Sequence, residues 1–280
     1  MPRIGPRRKS ASSKRGKKRT AARLFKFDRS FGRRYVCGVD EAGRGSLAGP
    51  LVAAGVMLDL ERIGRSERLA LARLDDSKQK SIEEREALYP HVIRAAARCS
   101  VAIRSVRAID TRGLHVSNLE ALTDCMRRVA PPGGATCLVD GFPLPHCEIE
   151  HQPVVDGDAR SAAIAAASVI AKVTRDRYMH RAAELYPGWN FEGNVGYSTP
   201  DHREAILEKG ITPLHRRSFA SIAYSQLELG GGIDEVGLEA EGLEGVADVI
   251  DIREAIAAEA DPDDIEAVPG DAEPPAAARG

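Results

Sequence analysis

The chain of 280 residues is 43% apolar and only 5% aromatic, which supports one large domain or two small ones around a core of Ala, Val, Leu and Ile. No apolar run approaches the length of a membrane span, and the basic N-terminus lacks the apolar segment of a secretory signal. Cys37, Cys99, Cys125, Cys137 and Cys147 form no C-x-x-C pair, which argues against a zinc site or a disulfide framework and for a reducing cytoplasm.

The net charge of −1 conceals a strong polarity. Fourteen Lys or Arg and one acid lie between Met1 and Arg34, and sixteen acids and two bases follow from Gln226 onward, leaving 24 of each sign between. Three segments are therefore expected: a basic disordered arm over 1–34 suited to nucleic-acid phosphates, a globular unit over 35–225, and an acidic, largely disordered tail over 226–280. Val246 to Glu259 is the one stretch of that tail with helical spacing. No internal repeat or oligomerisation signal is visible, so a monomer is the default.

Within the globular unit, Tyr35–Asp40 and Leu51–Leu58 read as apolar strands separated by a glycine turn. Ile82–Arg98 has helical spacing, with Ser81 at the N-cap and Glu84 completing a capping box. Ser100–Val106 alternates as a strand, and Ser117–Val129 is a helix stopped by Pro131-Pro132-Gly133-Gly134. Thr136–Asp140 is a short buried strand. Ala159–Leu185 is a long Ala-rich helix closed by Pro187-Gly188, and Asp201–Lys209 a further helix between Pro200 and Gly210. The mixture predicts an α/β domain with a mixed central sheet flanked by helices.

Candidate chemistry clusters at strand ends. Asp40 and Glu41 end one apolar run and Asp140 ends another; if these strands are neighbours, the carboxylates share the sheet edge where ligands of α/β proteins commonly bind. Asp158, just before the long helix, could complete an acidic cluster, with Asp156 as a rival. Such a cluster needs a hard cation, Mg²⁺ or Mn²⁺. Gly43 and Gly45 open the backbone to a bulky ligand, and Arg44 offers a planar cation to phosphate. Ser77 and Lys78 could hold phosphate. Ser168 and Lys172 share a helix face, with Arg175 extending their row. Tyr197, in Gly196-Tyr197-Ser198-Thr199, could stack on a sugar or base.

The ordered series G-V-D-E-A-G-R-G, L-A-G-P, D-D-S-K, V-D-G, G-D, I-A-A-A-S-V-I-A-K-V-T-R-D-R, G-Y-S-T and H-R-R-S-F closely resembles bacterial ribonuclease HII, the type 2 ribonucleases H, over about residues 35 to 222. The resemblance implies a ribonuclease H-like fold with a helical C-terminal part. It also implies two-metal hydrolysis of RNA in RNA–DNA hybrids and nicking of duplex DNA 5′ of an embedded ribonucleotide, leaving 3′-hydroxyl and 5′-phosphate ends. It places the metal-binding acids at Asp40, Glu41, Asp140 and Asp158, reading of the ribose 2′-hydroxyl at Gly43, Arg44 and Gly45, and junction detection at Tyr197. Ser77, Lys78, Ser168 and Lys172 match substrate-contacting positions. Two positions depart from the family pattern: Asn194-Val195 stands where His-Lys is common, and Asp156 where Lys is common.

Overall fold

The computed structural model describes residues 23–71, 73–74 and 81–219, together with the backbone of 250–251. A mixed sheet runs in the order β5-β4-β1-β2-β3-β6, with β6 the pair Ile250–Asp251. Strands β1 (Tyr35–Ala42), β2 (Leu51–Asp59) and β3 (Ala96–Arg104) form an antiparallel meander. Strands β4 (Thr136–Asp140) and β5 (Gln152–Val154) run parallel to β1, so the C-terminal ends of β1 and β4 meet at one edge.

Period-two alternation divides β1 and β4 between two cores. Val36, Ala42 and Leu138 pack on the face covered by α3 (Ile82–Ala95) and α6 (Ala162–Leu185), whereas Cys37, Val39, Cys137 and Val139 pack on the face covered by α5 (Leu114–Val129). Helix α6 carries alanines at 162, 163, 165–167 and 171, all buried, and these small side chains let its axis lie close to the sheet. At the closest approach Gly38 faces the α6 backbone, where a Cβ would stand 2.3 Å from the Ile164 nitrogen. Only glycine leaves room there, two residues before Asp40. The far half of α6 supports a smaller core with α7 (Phe191–Asn194), containing Met179, Phe191, Val195 and Leu214, and α8 (Pro200–Lys209) packs His202 against Phe191; this is the expected helical C-terminal part.

Several boundaries differ from the sequence reading. Residues 23–29 form a helix, α1, whose Leu24 and Phe25 enter the main core, so the chain is ordered well before the expected end of the arm at Arg34. The capping box of Ser81 and Glu84 is present, but α3 stops at Ala95 because Ala96 pairs with Leu58 as strand. Ser105 caps a further helix, α4 (Val106–Arg112), where strand was expected to continue. A short α2 (Arg65–Leu71) was not anticipated. The long helix begins at Ala162 with Ser161 as its N-cap, and Gly157–Ala159 is a separate 3₁₀ turn. Of the expected Val246–Glu259 helix, only Ile250–Asp251 is described, and it is a strand, β6, paired with β3: the open edge of β3 offers unpaired backbone groups that a strand satisfies and a helix does not. The remainder of both tails, with Ser77 and Lys78, lies outside the described residues.

Asp28 links α1 to the start of α6, its Oδ2 accepting from the Ala163 N–H at 3.1 Å. Burial pushes its pKa up to about 6 from 3.8. A raised carboxylate pKa means that the folded state holds a proton the unfolded chain releases, so stability falls as pH rises from about 4 to about 6 and is level above. Asp28→Asn keeps an acceptor without the charge. It should raise unfolding stability by about 1–3 kcal/mol at pH 7 and by much less at pH 4, read from urea melts at both pH values.

Candidate active site

The alternation of β1 sends adjacent carboxylates to opposite faces. Asp40 lies on the α6 side, and the Ser168 hydroxyl of α6 hydrogen-bonds its carboxylate. Glu41 turns to the α5 side, toward Asn118. Asp140 follows Val139, which is paired with Val39, so the same alternation brings it beside Asp40. Burial, reinforced by the charges of Asp140 and Glu41, drives the Asp40 pKa well above the ordinary carboxylate value. Glu41 is raised by burial and by Asp140, against the opposing pull of Arg44.

Asp158 sits in the 3₁₀ turn after β5 and is 5% exposed. The N–H of its neighbour Gly157 donates to Asp140 Oδ1 at 2.7 Å, pinning this turn against the β4 end. Asp156 is exposed at the surface in a left-handed conformation, φ 51°. Among the described residues, no three His, Cys, Asp or Glu side chains close into a cage around an ion. Glu41 lies 3.8 Å from the Arg44 guanidinium.

The loop joining β1 to β2 is held from below. Arg175 extends the helix row of Ser168 and Lys172, but it is fully buried and faces the loop rather than a ligand. Its guanidinium donates to the Pro50, Val195 and Ala48 carbonyls and to Ser46 Oγ at 2.8–3.0 Å. A Cβ at Gly43 would stand 2.1 Å from Arg175 Nε, and φ there is +88°, so glycine at this position is demanded by the fold. Gly45 has open space around an added Cβ, so no neighbour inside the chain requires glycine there. A second buried arginine, Arg216, donates to the Gly49 and Arg44 carbonyls. The exposed Arg44 side chain lies over Phe142, 5.0 Å from the ring centre.

The Tyr197 loop adjoins this one: the Leu47 and Ala48 N–H groups donate to the Gly196 carbonyl at 2.8 and 3.1 Å. The half-buried Tyr197 ring lies over Lys172 Nζ at 5.5 Å and over the Arg175 guanidinium at 5.2 Å. Lys172 also reaches Asp176 at 3.6 Å. Asn194 is buried, bridging the Trp189 carbonyl and the Gly196 N–H at 2.7 Å each. This residue therefore works inside the loop. Val195 holds φ 43°, a costly conformation for a β-branched residue, anchored by the bond from Arg175 to its carbonyl.

Asp40, Glu41 and Asp140 thus stand at the joined ends of β1 and β4, with the turn carrying Asp158 held against β4 and the adjoining Gly43–Gly45 and Tyr197 loops at the same edge. Asn118 and His202 were not singled out from sequence, and His215 and Arg216 entered only within the H-R-R-S-F motif, with no role given to them. Asn118 is a fully buried amide facing Glu41, whose charged form it favours without closing a normal hydrogen bond. Its signal was a polar residue on the buried face of an amphipathic helix.

A mixed sheet with acids at the joined ends of β1 and β4, flanked by helices on both faces, defines a ribonuclease H-like hydrolase. The chain belongs to the ribonuclease HII family, whose model matches residues 37–222; it is a type 2 ribonuclease H, an endoribonuclease family acting on RNA–DNA hybrids. It is 43% identical over 202 residues to the ribonuclease HII of Geobacillus kaustophilus (strain HTA426), covering 71% of this chain and 74% of that protein. Similarity to the ribonuclease HII of Rhodococcus erythropolis (strain PR4 / NBRC 100887) is 42% over 194 residues, covering 69% and 83%. The crystal structure of ribonuclease H2 from Pyrococcus horikoshii OT3 superposes with a TM-score of 0.58 at 27% identity, covering 69% of this chain and 97% of that one. No helix among the described residues is long and apolar enough to cross a membrane.

Replacing Arg175 tests the buried scaffold. Arg175→Ala should cost at least about 3 kcal/mol, because several buried acceptors lose their donor at once. Arg175→Lys should recover little, since an ammonium cannot span the same acceptors. Chemical denaturation of both variants provides the measurement.

Proposed function

We propose that this chain cleaves RNA in RNA–DNA hybrids and nicks duplex DNA on the 5′ side of an embedded ribonucleotide, leaving 3′-hydroxyl and 5′-phosphate ends. The incision would begin ribonucleotide removal from DNA. The observation that carries this reading is the meeting of the acid-bearing ends of β1 and β4 with the Asp158 turn, next to a loop whose inner glycine, Gly43, is locked by the fold and whose outer glycine, Gly45, faces open space.

Asp40, Glu41, Asp140 and Asp158 would hold two divalent cations, Mg²⁺ or Mn²⁺. The donor set fits: all four are hard oxygen donors, and the raised pKa values of Asp40 and Glu41 mark carboxylates that a nearby cation would relieve. Such ions supply a nucleophilic water at neutral pH and offset charge on the departing 3′-oxygen. Asp158 is preferred over Asp156 because it is buried on the turn that touches Asp140, whereas Asp156 is exposed.

The residues of the chain then place the scissile bond. Backbone groups of Gly43 and Gly45 approach the ribose and read its 2′-hydroxyl. Arg44 and Lys172 meet phosphate, Ser168 orients Asp40, and Tyr197 stacks at the RNA-to-DNA junction. Ser77 and Lys78 are assigned to phosphate by their match to the family motif. Arg23, at the start of α1, donates to the Ala159 carbonyl at 3.2 Å, one residue from Asp158, and the basic residues of the arm would meet nucleic-acid phosphates. Five free thiols, four of them buried, fit a cytoplasmic setting.

A nicking assay on duplex DNA with one ribonucleotide, with and without Mg²⁺ or Mn²⁺, tests the reading. Asp40→Asn and Asp158→Asn should each lose activity by about 10²-fold or more, while Asp156→Asn stays within about threefold. Activity lost in Asp156→Asn and kept in Asp158→Asn would reverse the choice of fourth acid. Tyr197→Ala should lose about tenfold more on the single-ribonucleotide duplex than on continuous RNA–DNA hybrid. Equal losses would remove its junction role.

A further inference from the structure

Beneath the Tyr197 loop lie two histidines to which the proposed chemistry gives no part. His202, in the first turn of α8, and His215, in the segment after it, are both buried. Their Nε2 atoms stand 3.1 Å apart. Phe191 seals the pair, with ring centres 5.5 Å from His202 and 5.8 Å from His215.

Each outer nitrogen has one partner whose role is fixed. His202 Nδ1 lies 2.8 Å from the Tyr197 carbonyl oxygen, which can only accept, so Nδ1 carries a proton. His215 Nδ1 lies 2.9 Å from both the Thr212 backbone N–H and the Thr212 hydroxyl; the N–H can only donate and the hydroxyl is able to donate as well, so this nitrogen is bare. A neutral His215 then carries its proton on Nε2, and a neutral His202 offers a bare Nε2 to receive it. The two ends fix the same polarity independently: Thr212 N–H to His215, His215 Nε2–H to His202, and His202 Nδ1–H to the Tyr197 carbonyl. A further proton on His202 would set two N–H groups against each other at the centre, and one on His215 would set its Nδ1–H against the Thr212 N–H. Burial drives His215 down to about 3 and also lowers His202, so both rings remain neutral at working pH.

The segment carrying His215 also holds the glycine–arginine loop. Ala48 and His215 form a β-bridge. The Gly49 N–H donates to the Leu214 carbonyl, and the Arg216 N–H donates to the Leu47 carbonyl, each at 2.8 Å. One short stretch thus grips the ribose-reading loop through its backbone and the Tyr197 loop through an imidazole.

We infer that His202 and His215 are positioning residues for substrate discrimination: their one-way relay fixes the Tyr197 backbone relative to Gly43–Gly45, and so sets how well one ribonucleotide is distinguished from continuous RNA. This inference rests on the junction role proposed for Tyr197. The relay holds the loop at its carbonyl, while Lys172 and Arg175 lie under its ring; losing the relay shifts the phenol without removing an acid.

Two measurements on the full chain test it. The first is ¹⁵N NMR of the imidazoles, assigned by comparison with His202→Asn and His215→Gln. At pH 7 His202 should be the neutral Nδ1–H tautomer and His215 the neutral Nε2–H tautomer. The reverse pair, or a cationic ring, would overturn the relay.

The second measurement is activity on the two substrates. His215→Phe and His202→Leu should each lower kcat/KM for the single-ribonucleotide duplex about tenfold more than for continuous hybrid. His202→Asn, whose amide restores a donor near the Nδ1 position, should recover most of that selectivity. Combining His202→Leu with Tyr197→Ala should lower selectivity no further than Tyr197→Ala alone, as expected for residues acting through one group. If Tyr197→Ala loses selectivity while folded His202 variants, checked by thermal melts, lose activity equally on both substrates, the positioning role is wrong. If Tyr197→Ala itself shows no selective loss, the junction role fails, and the functional half of the inference with it; the tautomers still decide the relay separately.

Discussion

The buried guanidinium of Arg175 is the interaction on which the functional end of the molecule depends. Its hydrogen bonds run to three backbone carbonyls and a serine hydroxyl. Desolvating a cation is expensive, and only a dense set of correctly aimed acceptors offsets the cost. The dependence therefore runs both ways. The loop carbonyls need the cation, and the cation needs the loop in one conformation. Gly43 lacks a side chain because the guanidinium occupies that space, and Val195 tolerates a left-handed backbone because its carbonyl is engaged.

The acidic edge of the sheet follows a different logic. Parallel pairing of β1 with β4 makes two aspartates neighbours, and pleating turns Glu41 to the opposite face. Burying these acids together raises the pKa values of Asp40 and Glu41. That electrostatic strain is stored at the site and supported elsewhere by the close packing of α6 on Gly38 and by the large apolar cores on both faces of the sheet. Ser168, Lys172 and Arg175 lie on successive turns of α6 and are divided by depth: a hydroxyl on an acid, an ammonium under an aromatic ring, and a guanidinium within the scaffold.

Much of this architecture was legible in local pattern. The alternating apolar strands, the capping box at Ser81 and the breaker after Val129 are short-range signals with short-range causes. The misreadings arose where distant partners decided the outcome. Ala96 is strand because Leu58 pairs with it, although the helical spacing continues beyond it. Residues 23–31 look like more of a basic arm, yet Leu24, Phe25 and Asp28 find burial against the main core and the start of α6. Arg175 has the i, i+3 spacing of an exposed row, and nothing local reveals that a loop from β1 folds over it.

Sequence by itself determined the type of chemistry: acids at the ends of apolar runs, a glycine–arginine turn beside them, and an ordered set of motifs belonging to one family. Those features are written in residue identity and spacing, which survive without coordinates. Tertiary structure alone decided which groups meet. It set Asp158 against the β4 end and left Asp156 at the surface. It also buried Arg175 and joined His202 to His215 across thirteen residues. The reason is physical: burial and hydrogen-bond pairing are properties of surfaces brought together, and the segments concerned lie from thirteen residues apart, at the histidine pair, to more than a hundred, at Arg175 and the β1–β2 loop.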